Sequence, residues 1–324
     1  MADGFDGALG VINPSPGDRA QAIEAHLSVR ATLERDPQLV AWGIDSVLIG
    51  SYARRVSIHR AKDVDVFCKL LSLPDDIPPQ RVINAVYDLL VKRYGNEHVE
   101  RQARSVKVTL PKWNGLHVDA VPARPYGDIW QIPDRTDPDG WQETNPERLN
   151  RLTEDMNGVM NEFYVPTVKL LRQTKRALIP DQRPGGLYFE AALYQACERS
   201  EVEYQSQRFA YVTALEAISG MLSRRDPIRN PTLPDNFYTF RVTDDEWESA
   251  ASAFATAARR ARVALTSSRC DAARIFNALL GENSDGTTVY AIPADCDSSS
   301  STTVTTPGDS RVTSGHQRFA VDGR

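Results

Sequence analysis

The chain reads as an α+β protein, a mixed sheet with flanking helices followed by a helical half. Three observations predict this. Short runs of β-forming residues alternating with polar ones are confined to the stretch from Ser46 to Val121. Apolar residues at helical spacing dominate from Thr144 to Gly281. Beyond Cys296 the chain is rich in Ser and Thr, with Ser298 to Ser301 followed by Thr302, Thr303, Thr305 and Thr306, too little apolar surface to fold alone. The expected organisation is a flexible lead over residues 1–14, a sheet domain over 15–143, a helical domain closing a cleft over 144–285 and a flexible tail over 286–324.

After the lead, Asp18 opens a helix whose apolar positions Ile23, Leu27 and Ala31 recur at i+4 spacing. Val47, Leu48 and Ile49 are uninterrupted β-formers, so they predict a buried strand, and Gly50 permits the sharp turn that ends it. Ser51 follows with a hydroxyl and an N–H, then a basic loop over residues 52–62 that carries Arg54, Arg55, Arg60 and Lys62. Asp63-Val64-Asp65-Val66 is the second strand. Pro78 and Pro79 precede a helix with Val82, Val86, Leu89 and Leu90 on one face and Gly95 as its stop. Val106, Val108 and Leu110 alternate with Ser105, Lys107 and Thr109, and a turn at Pro111 to Gly115 returns the chain as Leu116 to Val121, a hairpin. Residues 122–144, with their Pro, Gly and Asp and with Trp130 and Trp141, are the expected crossing between domains.

Asn145 and Pro146 start the helical half as cap and first helical residue. Further helices are expected over Val165 to Leu178, after Pro184-Gly185-Gly186 and after Ser206. Thr243 and Glu246 form a capping box for the next, and Ser268 and Asp271 a weaker one for the last, which Gly281 ends.

At 324 residues, 41% hydrophobic and 25% charged, the chain has the composition of an ordinary folded protein of two-domain size. A formal net charge of −5 argues against a general nucleic-acid binder. No apolar run approaches the roughly 20 residues that cross a bilayer, and MADGFDGALG lacks the parts of a signal peptide. The expected location is therefore the cytoplasm, without a membrane partner. Cys68, Cys197, Cys270 and Cys296 are scattered with no C-x-x-C pair, which argues against zinc and reads as reduced thiols.

The chemistry concentrates between Gly50 and Asp119. Strand alternation projects Asp63 and Asp65 to one face, where they repel unless a cation lies between them. Hard oxygen ligands suit magnesium or manganese better than zinc. On the hairpin, His117, Asp119 and Val121 share a face, so Asp119 joins the first two carboxylates if the strands are neighbours. His117 is either a base or a structural, solvated histidine. Alone, an Asp-x-Asp also reads as a solvated edge and a Gly-Ser as a plain turn.

In this order, Gly50-Ser51, the basic connection, Asp63-x-Asp65 and Asp119 resemble the signature of the DNA polymerase β-like nucleotidyltransferases. The helical start at Thr144-Asn145-Pro146, a helix over Val165 to Arg172 similar to the family's spine helix, and Pro184 to Leu193 narrow the resemblance. Over residues 15–285 the chain resembles the bacterial cyclic-oligonucleotide synthases related to cyclic GMP-AMP synthase and oligoadenylate synthase.

That resemblance implies a polymerase β-like core with a C-terminal helical domain. Mg²⁺, or Mn²⁺, would be held by Asp63, Asp65 and Asp119, and NTP substrates would condense into a cyclic di- or oligonucleotide messenger with release of pyrophosphate. It places Gly50, Ser51, Arg172 and Lys175 on the donor phosphates and Tyr188 on the base, with a core-packed Tyr188 as the other reading. Arg55 and Val56 stand where the family often has a small residue and a threonine, with Ser57 next to them; Arg172 stands where many members have lysine, with Lys169 and Lys175 one turn away. The implied role is anti-phage signalling through a separate effector, in some systems with a ubiquitin-like ligation partner acting on the C-terminal tail, here ending Asp322-Gly323-Arg324. The alternatives are a nucleotidyltransferase that modifies an RNA end, a protein or a small molecule, and a non-catalytic nucleotide-binding scaffold.

Overall fold

The computed structural model describes residues 4–60, 62–113, 115–136 and 140–296. The predicted tail lies outside the described residues from residue 297 onward. Its first residues do not behave as a tail, because Val289 and Tyr290 are buried.

The expected lead is a helix, α1 (Gly4–Ile12), and not flexible. Phe5, Ala8 and Ile12 recur at i, i+3 and i+7, so one face is apolar, and that face is buried with the helical half rather than with the sheet. Phe5 packs edge-on against Phe276 and Tyr290, with ring centroids 4.9 and 5.2 Å away. α2 (Pro16–Leu33) starts one turn earlier than Asp18 suggests, because Ser15 is the cap and Asp18 closes a capping box with it. The face expected to be buried is also corrected: Ile23 and Leu27 are exposed, and Ala22, Ala25, Val29 and Leu33 pack inward. Small residues let the helix lie close on the sheet.

β1 (Ile44–Ile49) follows the short α3 (Pro37–Ala41) and runs antiparallel to β2 (Asp63–Leu70), with α4 (Gly50–Ala53) as the turn. α5 (Pro79–Tyr94) leads to β3 (Val99–Arg101), and β4 (Val106–Leu110) and β5 (Leu116–Tyr126) form the predicted hairpin. The strand order is β1-β2-β5-β4-β3, with β2 and β5 parallel. Val64, Val66, Val106, Val108 and Val118 are buried on the back of this sheet with α2 and α5, each contributing about 1.5–3 kcal/mol through apolar surface removed from water.

The expected crossing over 122–144 is sheet. β5 continues to Tyr126, a two-residue turn at Gly127-Asp128 reverses the chain, and β6 (Ile129–Pro133) and β7 (Trp141–Thr144) extend the sheet from β5. Gly127 takes a positive φ of 56° that such a tight hairpin favours. Pro133 sits at the end of β6, whereas Pro122 and Pro125 lie within β5, in register with Cys68 and Trp130.

The helical half comprises α6 (Pro146–Val159), α7 (Tyr164–Leu178), α8 (Gly186–Glu198), α9 (Gln207–Arg224), α10 (Asp244–Thr266) and α11 (Arg269–Leu280). Asn145, Ser206, Thr243 and Ser268 cap their helices as the sequence predicts. Met1–Ile292 form one compact unit; the second unit, Pro293–Arg324, is described only as far as Cys296. Cys68 and Cys197 are free, whereas Cys270 and Cys296 are disulfide-bonded, which corrects the reading of all four as thiols. No helix among the described residues is long and apolar enough to cross a membrane.

Candidate active site

Register brings the three aspartates together. Asp65 on β2 is paired with Asp119 on the parallel strand β5, and with Ile49, the residue before the turn, on β1. Asp63 is paired with His117. Because residues two apart on a strand share a face, all these side chains stand on the front of the sheet, opposite the valine core.

Gly50 is required twice over. Its φ of +75° is one that glycine adopts without strain, and a Cβ there would lie 1.8 Å from Asp65 Oδ2. The turn therefore sits directly on the central carboxylate. Ser51 Oγ is hydrogen-bonded to Ser57 Oγ at 2.9 Å, and the Ser51 carbonyl accepts from the N–H groups of Val56 and Ser57. Ser57 is thus the hydroxyl residue that braces the turn.

The acidic face carries the electrostatic mark of a cation site. Burial, then repulsion from Asp63 and Asp119, pushes the Asp65 carboxyl up to about 7. Burial, then Asp63, does the same to Asp119, also to about 7. Asp63 is raised by burial against the pull of His117, Lys107 and Arg172. Ligand atoms of Asp63, His117 and Asp119 lie within 4.8 Å of one another, and Asp119 Oδ1 is buried with no hydrogen-bond partner. The unpaired oxygen and mutual repulsion of the carboxylates fit a divalent cation such as Mg²⁺ or Mn²⁺, with His117 rather than Asp65 completing the group of converging ligand atoms. His117 lies with Nε2 3.4 Å from Asp63 Oδ1, and burial holds its pKa below the usual histidine range.

The phosphate-facing residues expected from the helical half divide. Arg172 on α7 lies near enough to Asp63 and Asp65 to pull against the burial that raises both carboxyls. Lys175 points elsewhere, its ammonium donating at 2.6 Å to the Pro180 carbonyl beyond the end of its own helix. Tyr188 is fully buried, its ring enclosed by Phe189, Phe240 and Trp247 at 5.2 to 5.4 Å. Its ring offers no open face for stacking; its hydroxyl is buried without a hydrogen-bond partner, and the residue is one of those that line a groove of about 790 Å³.

Two features escaped the sequence. Lys107 on β4 is in register with Asp119 and draws its carboxyl downward; the hairpin alternation could have shown it. Glu190 on α8 is buried between Arg54 and Arg172. With partners 136 and 18 residues away in the chain, it has no local signature.

Residues 1–157 match the family described as the Second Messenger Oligonucleotide or Dinucleotide Synthetase domain. The chain is 27% identical over 258 residues to a cyclic AMP-AMP-AMP synthase from an Acinetobacter species, covering 74% of this chain and 72% of that protein. The fold is similar to CdnG of Bradyrhizobium diazoefficiens, solved with GTP (TM-score 0.67, 14% identity, 86% and 94% of the two chains). It is also similar to CdnC of E. coli MS115-1 in its HORMA complex (0.64, 17%, 85% and 95%) and to the Vibrio cholerae cyclic AMP-GMP synthase DncV (0.61, 13%, 78% and 74%). The acid trio and its glycine turn lie within the matched residues 1–157, and over most of its length the chain shares the fold of CdnG, CdnC and DncV.

Proposed function

We propose that this chain condenses nucleoside triphosphates into a cyclic di- or oligonucleotide, releasing pyrophosphate. The observation that carries the reading is the register: Asp63, Asp65 and Asp119 on one face of adjacent strands, with the Gly50 turn seated on Asp65. A divalent cation bound there would neutralise charge on the attacking and leaving oxygens. The residues that would hold it are Asp63, Asp65 and Asp119.

The chain's own groups supply the rest. Asp119, with an unpaired buried oxygen, is the group placed to receive the proton of an acceptor hydroxyl. Ser51 and the backbone N–H groups of the turn would orient the donor phosphates, and Arg172 would balance their charge. The groove beside β6 and β7 is lined by Gln131, Gln142, Asn230, Asn236, Phe237 and Tyr238, amides that can read the edges of bases and rings that can stack on them. Closure between sheet and helices would exclude water, so that a linear product turns and cyclises rather than leaving.

The family supports a further role: a messenger for anti-phage signalling, read by a separate effector. Action of a ubiquitin-like ligation partner on the tail rests on the sequence beyond residue 296 alone. The test is to incubate the purified chain with all four NTPs and Mg²⁺ or Mn²⁺, treat with phosphatase and analyse soluble products by mass spectrometry, beside Asp63→Asn/Asp65→Asn. A phosphatase-resistant cyclic species absent from the variant is expected. Pyrophosphate formed only when RNA or protein is added would replace the cyclase reading with a modifying enzyme.

A further inference from the structure

Glu190 is a carboxylate almost wholly removed from solvent, 2% exposed, at the place where the helical half meets the turn. It accepts from Arg54 Nε at 2.6 Å and Arg54 Nη2 at 3.2 Å, and from Arg172 Nη2 at 3.2 Å. Arg54 caps the end of α4, the helix that begins at Gly50, and Arg172 lies on α7. One side chain of α8 thereby fixes the turn and α7 to each other through charge-assisted bonds, two of them in the bidentate geometry that sets a guanidinium plane. Tyr164 on α7 steadies the same point by donating its hydroxyl to the Glu190 carbonyl at 3.2 Å.

Charge counting shows more than a strut. Two guanidiniums share one carboxylate, so the triad carries a surplus positive charge, and Arg172 Nε is buried with no hydrogen-bond partner. Leaving a buried charged donor unsatisfied is costly. Arg54 caps the short helix that starts at Gly50, and Gly50 lies against the Asp65 carboxylate, which puts the surplus beside the acid trio. α8 also begins with a residue trimmed to fit this guanidinium, since a Cβ at Gly186 would lie 3.1 Å from Arg172 Cζ. A structural strut needs one arginine for one carboxylate; the second keeps a buried donor without a partner, which an anion from outside the chain can take.

The geometry points to Glu190 as a positioning residue for phosphoryl transfer, holding Arg172, and through Arg54 the Gly50 turn, where the phosphate chain of a nucleoside triphosphate supplies the missing negative charge. This rests on the function proposed above. Glu190 touches no reacting atom and acts through Arg172.

The test is a double-mutant cycle on the full chain with Glu190→Gln, Arg172→Lys and both together. Each is measured for steady-state nucleotidyl transfer and for calorimetric binding of non-hydrolysable analogues of the four NTPs with Mn²⁺. Glu190→Gln is expected to raise KM about tenfold and lower kcat about tenfold, the scale on which misplacing a binding group acts. The double variant is expected to be no worse than the weaker single, because the two residues act as one unit. A residue needed only for folding would lower the active fraction and leave KM unchanged, and its loss would multiply with that of Arg172→Lys; either result overturns the inference. If Glu190→Gln does not fold by circular dichroism, Glu190→Asp takes its place, keeping the charge and withdrawing it by one methylene. If the wild type binds analogue without transfer, the cycle is read in affinity, where non-additivity supports the inference and independence overturns it. A wild type that binds no triphosphate sinks the proposed function and the inference with it, whereas one that binds normally beside an unaltered Glu190→Gln sinks the inference alone.

Discussion

Strand β2 presents Val64 and Val66 to one side of the sheet and Asp63 and Asp65 to the other, and the two sides are held by opposite physics. On the back, Val64 and Val66 are at most 1% exposed among the valines of β4 and β5 and the small residues of α2. The apolar side chains there gain by leaving water. On the front, burial and mutual repulsion push Asp65 and Asp119 up to about 7, and Asp119 keeps an oxygen without a partner. The front is a local cost sustained by the back, and such a cost is expected where a ligand is meant to relieve it.

The most severe way to break this comparison is to exchange the fates of neighbouring residues. Asp65→Asn is expected to reduce nucleotidyl transfer by more than about 10³-fold, since several kcal/mol of charge stabilisation is lost, while thermal stability holds or rises because repulsion is relieved. Val66→Ala is expected to do the reverse, costing about 2 kcal/mol of stability through a cavity and leaving kcat per folded molecule near wild type. Circular dichroism melts beside a pyrophosphate-release assay measure both. An Asp65→Asn chain with wild-type turnover would remove the carboxylates from the chemistry.

Gly50 joins the two faces, since its turn ends a core strand and lies on Asp65. Alanine there meets both a φ of +75° and an oxygen 1.8 Å from its Cβ. Gly50→Ala is expected to lose about 2–4 kcal/mol of stability, from strain together with overpacking, and to lower turnover further by displacing Asp65. A variant that melts within about 1 °C of wild type, where 1 kcal/mol in a chain of this size is worth roughly 2–4 °C, would show that the turn relaxes freely.

The front of the sheet was legible in the sequence because its signals are local. Asp63 and Asp65 are two residues apart, Gly50-Ser51 ends an apolar run, and Asp119 follows a hairpin whose alternation fixes its face. The capped helices were legible for the same reason, as Thr243 with Glu246 shows. What was lost is contact between distant segments. Glu190 meets Arg54 across 136 residues, so Arg54 could be seen only as one cation of a basic loop. Phe5, Ala8 and Ile12 carry a readable helical period, yet nothing local says that they dock onto α7 and α11 rather than trail in solvent. On α2 the rule of burying the largest apolar residues fails, because Ala22, Ala25 and Val29 allow closer approach to the sheet than Ile23 and Leu27 would.

The gentlest test sharpens the comparison by titrating one face alone. With carboxyls near 7 in the folded chain and near 4 when unfolded, Asp65 and Asp119 hold protons in the native state that the unfolded chain has already released. The stability associated with those protons is present in full below pH 4 and is lost as pH rises through about 7. The metal-free protein is therefore expected to melt a few degrees lower at pH 8 than at pH 5 on account of these groups. Mg²⁺ or Mn²⁺ competes with the same protons, so added cation is expected to raise the melting temperature at pH 8 and to have little effect at pH 5. Val66→Ala should shift the whole profile down without changing its slope, whereas Asp65→Asn should make it shallower, leaving the part that belongs to Asp119. A cation effect of equal size at both pH values would place the binding elsewhere, because ligands that must first lose a proton cannot be indifferent to its concentration.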